Sequence, residues 1–134
     1  MIFPEGTNLT ADTKKKSDKF AEENNLSKYE QVLHPRITGF NHLFNEMKRN
    51  DTMQYIQDIT IAYRGGIIPE NEIDLLNGNL PHEIHFYIDK FDCDAILKSV
   101  DLSEDGDNSK RNKALEDWLN ERWTRKEAFL KKYS

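Results

Sequence analysis

The sequence predicts an α/β fold, with a mixed sheet, flanking helices and a long amphipathic helix at the C-terminal end. Three patterns carry that expectation. Two segments, DITIAYR from Asp58 and IHFYIDKF from Ile84, alternate side chains with a two-residue period. Ile37, Phe40, Leu43, Phe44 and Met47 recur at three- and four-residue steps, which gathers them on one helix face. Leu115, Trp118, Leu119, Trp123, Phe129 and Leu130 form a second apolar stripe in the last segment.

In chain order, Ile2 and Phe3 read as the end of a strand that Pro4 turns into a loop. DTKKKSDKFAEEN, residues 12–24, reads as a surface helix with Asp12 as N-cap, weakly anchored by Phe20 and Ala21 and stopped near Asn25. YEQVLH, residues 29–34, offers a short strand around Val32 that Pro35 ends, because its ring disfavours helix in the residue before it. A helix over 36–49 follows. Strands are expected around Ile59, with Ile59, Ile61 and Tyr63 on one face, and around Phe86, with Ile84, Phe86 and Ile88 on one face. Residues 92–107 hold six acids against Lys98 alone and read as an exposed acidic loop. The charge then reverses: residues 110–132 carry eight Lys or Arg against four acids on the final helix.

At 134 residues the chain is long enough for one domain, which buries roughly two-thirds of the surface its unfolded form exposes. The apolar content is 37%, the charged content 32% and the mean hydropathy −0.83, and no stretch approaches the ~20 apolar residues that span a bilayer. A net charge of −5 argues against general nucleic-acid binding, which needs a basic surface. Cys93 stands alone, so no internal disulfide forms.

The segment FPEGT, Phe3 to Thr7, has its own chemical logic. Gly6 lacks a Cβ and lets a substrate approach the backbone, Glu5 offers a hydrogen-bond acceptor for an alcohol, and Thr7 supplies a hydroxyl and an N–H suited to phosphate oxygens. An ordinary turn with an exposed Glu is the other reading of the same five residues. Arg36 likewise has two readings, a cation for a phosphodiester or a helix-start Arg paired with a nearby acid. Trp118 and Trp123 sit at a membrane interface on one reading and pack against the sheet on the favoured one. His82 and His85 are three apart in a strand and face opposite ways, so they do not form a joint metal site. Asp101, Ser103, Asp105 and Gly106 echo a calcium loop, but Asn112 stands where its bidentate Glu is needed.

FPEGT, VLHPRITGF at residues 32–40, ITIAYR at 59–64, PHEIHFYI at 81–88 and the ending LEDWLNERWTRKEAFLKKY together resemble the glycerolipid acyltransferases. This is the 1-acylglycerol-3-phosphate acyltransferase family, and the resemblance is strongest to its lysocardiolipin branch. It implies a C-terminal part of an acyltransferase domain over residues 1–57, beginning at the FPEGT block, and the acyltransferase C-terminal region over 58–134. The implied reaction moves a fatty acyl group from acyl-CoA, a co-substrate, to a free hydroxyl of a lysophospholipid, with no cofactor and no metal.

Carried over position by position, Phe3, Pro4, Glu5, Gly6 and Thr7 would line the acceptor's glycerol and phosphate region, with Arg36 as the next cation. Where many members have Arg after FPEGT, this chain has Asn8, which makes a phosphomonoester acceptor less suitable. The family's catalytic His-x-x-x-x-Asp motif is absent: His34, His42, His82 and His85 meet Gly39, Met47, Tyr87 and Lys90 at the Asp position. The expectation is therefore a catalytic dyad upstream of Met1, membrane attachment through upstream segments and, on one reading, the C-terminal helix, and a parent protein in the endoplasmic reticulum membrane facing the cytosol. The chain alone is expected to be inactive. A non-catalytic lipid- or protein-binding fragment is the alternative.

Overall fold

In the computed structural model, residues 1–66, 72–98 and 108–133 are described. They form a mixed α/β structure: α1 (Ala11–Glu23), α2 (Ile37–Arg49), β1 (Tyr55–Gly66), α3 (Glu72–Leu76), β2 (Pro81–Asp92), α4 (Cys93–Leu97) and α5 (Asn108–Leu130). β1 and β2 make a two-stranded antiparallel sheet with Ile59 opposite Ile88 and Ile61 opposite Phe86.

The expected helices appear close to their predicted bounds, with local corrections. Thr10, not Asp12, caps α1: its hydroxyl accepts the Thr13 N–H at 3.2 Å, and the Thr13 hydroxyl accepts the Thr10 N–H at 2.8 Å. Asn25, at φ 53°, follows the helix in the left-handed region where Asn is tolerated. No strand forms at Ile2 or Val32. A strand needs a hydrogen-bonding neighbour, and these short segments find other partners, described below. The expected acidic loop is partly helix. Asp92 accepts the N–H groups of Asp94 and Ala95 at 2.9 and 3.0 Å and starts α4, which buries Cys93, Ile96 and Leu97. Asp101, Ser103, Glu104, Asp105, Gly106 and Asp107, with the calcium-loop echo, lie outside the described residues.

One core joins the early and late parts of the chain. Val32, Phe40 and Phe44 meet Cys93, Ile96, Leu97, Leu115, Leu119 and Trp123. Both tryptophans pack, as favoured: Trp123 is in this cluster, and Trp118 stacks on Phe40 at 5.9 Å and meets Phe91 edge-on at 5.4 Å. No described helix is long and apolar enough to cross a membrane.

The sheet turns its polar face toward α5. Arg122 donates from Nε to Asp58 at 2.7 Å and from Nη2 to Asp89, while Lys126 Nζ reaches Asp58 at 2.5 Å, the Thr60 hydroxyl at 2.7 Å and the Ile59 carbonyl at 3.0 Å. The matched charges on the helix select that face. The apolar side is open, with Ile59 45% and Phe86 64% exposed, and Ile61, Tyr63, Ile84 and Ile88 beside them.

Candidate functional site

FPEGT closes as a tight turn whose Gly6 N–H donates to the Phe3 carbonyl at 3.0 Å. The turn is joined to the HPR segment by the Arg36 N–H, which donates to the Pro4 carbonyl at 2.7 Å. Pro35 is buried, and Arg36 occupies the N-cap position of α2 with an extended backbone. Two sequence blocks separated by α1 thus become one surface.

Gly6 is required twice over. Its φ is +72°, and a Cβ there would lie 2.9 Å from Arg36 Nε and 3.2 Å from Arg36 Cδ. The close approach expected from a substrate at this glycine is made by the Arg36 side chain instead. Phe3, expected as a strand anchor, is 71% exposed, because the strand it would anchor does not form.

Glu5 is half-buried, and its Oε1 accepts the Trp123 indole N–H at 3.2 Å. Burial raises its pKa above the ordinary glutamate value, outweighing the Leu33 backbone, the Trp123 N–H and the Lys126 charge, which favour the ionised form. Arg36 and Thr7 are exposed, and among the described residues neither side chain has an ion pair or hydrogen bond. The ion-paired reading of Arg36 is therefore not met among these residues. A carboxyl group, an uncommitted guanidinium and a hydroxyl thus share one small surface, a combination suited to an alcohol and a phosphate.

The sequence did not reveal what α5 contributes. Glu127 accepts the backbone N–H groups of Glu30 and Gln31, each at 2.8 Å, and the Tyr29 hydroxyl lies 2.9 Å from that of Thr124. These bonds replace the sheet ladder expected around Val32 and fix the approach to Arg36. Burial opposes the charge on Glu127, but the two N–H groups and Lys131 more than compensate, so its pKa falls below the ordinary value. Helical spacing was the available signal: Lys126 and Glu127 follow Trp123 by three and four residues and share its face.

Among the described residues the histidines form no pair with an aspartate. His34 stacks on Tyr29 at 4.5 Å, sits 5.7 Å from Phe20 and places Nε2 3.0 Å from the Ser27 carbonyl; burial lowers its pKa. His85 Nε2 lies 2.9 Å from Glu83. No described histidine is hydrogen-bonded to an aspartate. A separate groove of about 890 Å³ between α2 and the start of α5 includes Asn41, His42 and Arg111, and none of Phe3–Thr7 lines it.

Neither a family profile nor a solved structure matches this chain. Curated proteins do. Lysocardiolipin acyltransferase 1 of Gallus gallus is 41% identical over 133 residues, covering 99% of this chain and 32% of that protein. Lysophosphatidylinositol acyltransferase 10 of Caenorhabditis elegans is 44% identical over 131 residues, covering 97% and 30%. The 2-acyl-1-lysophosphatidylinositol acyltransferase of Saccharomyces cerevisiae is 30% identical over 141 residues, covering 99% and 32%. The chain spans about a third of the length of these relatives.

Proposed function

Because this chain is homologous along its whole length to the glycerolipid acyltransferases, we propose that it supplies the acceptor-holding part of a lysophospholipid acyltransferase. The reaction joins the lysolipid hydroxyl oxygen to the thioester carbonyl of acyl-CoA, expels the CoA thiolate and moves the hydroxyl proton to a base. Glu5 and Thr7 hold the glycerol and phosphate region of the acceptor, within the turn that Phe3, Pro4 and Gly6 shape. Arg36 pairs with the phosphate. Asn8 in place of a further cation suits a phosphodiester, the chemistry of the lipids for which the relatives above are named. The base and its orienting acid come from a stretch outside this chain, as do the segments that place the parent on the endoplasmic reticulum membrane facing the cytosol. Alone, this chain does not turn over.

The observation that supports this reading most is the bond between Arg36 N–H and the Pro4 carbonyl. It brings the guanidinium over Gly6, next in sequence to Glu5, so two distant blocks present complementary groups together. The test is acyl transfer by the protein that carries this stretch. Arg36→Ala raises the acceptor KM roughly tenfold, the worth of a charge-assisted hydrogen bond, and leaves the acyl-CoA KM unchanged. Glu5→Gln moves the acceptor KM in the same direction. If both variants show wild-type acceptor KM, these residues do not hold the acceptor.

A further inference from the structure

We propose that Trp123 is a positioning residue for the acceptor loop, its indole N–H holding the Glu5 carboxylate in the orientation that meets the acceptor. This rests on the acceptor reading of Glu5 given above. Among the described residues, Trp123 provides the only side-chain hydrogen bond to Glu5, and it comes from 118 residues away in sequence. Beyond that bond, the turn around Glu5 is tied down by two backbone hydrogen bonds, Gly6 to Phe3 and Arg36 to Pro4. Neither constrains the Glu5 side-chain rotamers; the Leu33 backbone also favours the ionised carboxylate, and the Trp123 indole N–H adds the side-chain donor that fixes its orientation from α5.

Trp123 is well suited to supply that constraint. It is 6% exposed and belongs to the core with Leu119 and Phe44. The Lys126 ammonium lies 5.4 Å from the centre of its ring, and Lys126 is itself fixed by Asp58, Thr60 and the Ile59 carbonyl. A rigid chain of contacts therefore runs from the sheet through Lys126 and the indole to Glu5. Among the described residues, Lys126 from α5 is the charged group that acts on the Glu5 carboxyl, and the Arg36 side chain from the start of α2 lies over the neighbouring Gly6. A hydrogen bond of this kind favours the ionised carboxylate, so removing it carries the Glu5 pKa further upward.

Trp123→Phe removes the N–H and keeps an aromatic ring. In the acyltransferase that carries this stretch, the expected result is an acceptor KM raised about fivefold with kcat within twofold, and an acid limb of kcat/KM for the acceptor moved to higher pH. Loss of packing alone would not shift that limb. Should the Phe variant fail to fold, β-(3-benzothienyl)alanine at position 123 keeps the bicyclic shape without the N–H and is expected to give the same shifts. Wild-type acceptor KM and pH limb in the N–H-deficient variant, with Glu5→Gln impaired, would overturn the positioning role and leave the acceptor reading standing. Wild-type behaviour of Glu5→Gln as well would overturn both. A readout independent of turnover uses Trp118→Phe in the 134-residue chain, where it leaves Trp123 as the single indole. Its fluorescence is expected to show an acid transition that Glu5→Gln abolishes, and a transition surviving that substitution overturns the contact.

Discussion

Glu127 and Glu5 are partly withdrawn from water by the same fold, yet their pKa values shift in opposite directions. Glu127 gains two backbone N–H donors, so its folded pKa is depressed. The stability it contributes is full above the ordinary glutamate pKa and is lost as pH falls through the folded value. Glu5 gains too little to offset burial, so its folded pKa is raised. Its contribution is greatest below the ordinary value and declines as pH rises through the folded one. Urea unfolding should separate the two. Glu127→Gln is expected to lose about 2 kcal/mol at pH 7, with the gap to wild type narrowing toward pH 3. Glu5→Gln is expected to unfold at higher denaturant than wild type at pH 7, with that gap closing in acid. At this scale the sequence singled out Glu5 and Gly6 as candidates from the chemistry of the turn, and Arg36 from the family resemblance. It passed over Glu127 and Trp123 as site residues because their roles exist only once α5 lies against the loops.

Among the elements, α5 sets which way the hairpin faces. Its buried stripe mixes Leu115, Leu119 and Trp123 with Arg122, Lys126 and Glu127, three charged residues outside the apolar stripe expected from the sequence. Arg122, Lys126, Asp58 and Asp89 compensate one another at the helix–sheet contact, with the Arg122 guanidinium also 4.6 Å from the centre of the Phe91 ring. Arg122→Met leaves Asp89 without this partner and Asp58 with Lys126 alone. It is expected to cost about 3 kcal/mol in thermal or denaturant unfolding, the scale of breaking a buried pair. The elements that periodicity revealed were those long enough to repeat it: α2, α5 and the two strands. Ile2 and Val32 were misjudged as strands because a short apolar run does not specify its hydrogen-bonding partner, and Glu127 supplied one for the approach to Val32. The start of α4 was hidden by its composition, since Asp92 and Asp94 read as solvated acids although Asp92 is a cap.

Across the molecule, the apolar side of the hairpin stands open while its polar side is covered. Ile59, Ile61, Tyr63, Ile84, Phe86 and Ile88 form three cross-strand pairs with no charged residue among them. Such a face binds apolar dyes and promotes self-association. Ile61→Lys with Phe86→Lys is expected to reduce the fluorescence of bound 1-anilinonaphthalene-8-sulfonate several-fold while leaving the far-UV circular dichroism unchanged. The wider arrangement also shows what the sequence left hidden around the FPEGT and HPR segments. FPEGT and HPR are short chemical signatures, but their union depends on one backbone hydrogen bond, with α5 bonded to Glu5 and to residues 29–31 beside it. The proposed grip of this union on a lysophospholipid headgroup is tested most directly by titrating the isotopically labelled chain with glycerophosphoinositol and following its amide and indole resonances. Saturable shifts are expected at Gly6, Thr7, Arg36 and the Trp123 indole N–H; shifts confined to the open sheet face, or none at all, would contradict headgroup binding at this surface.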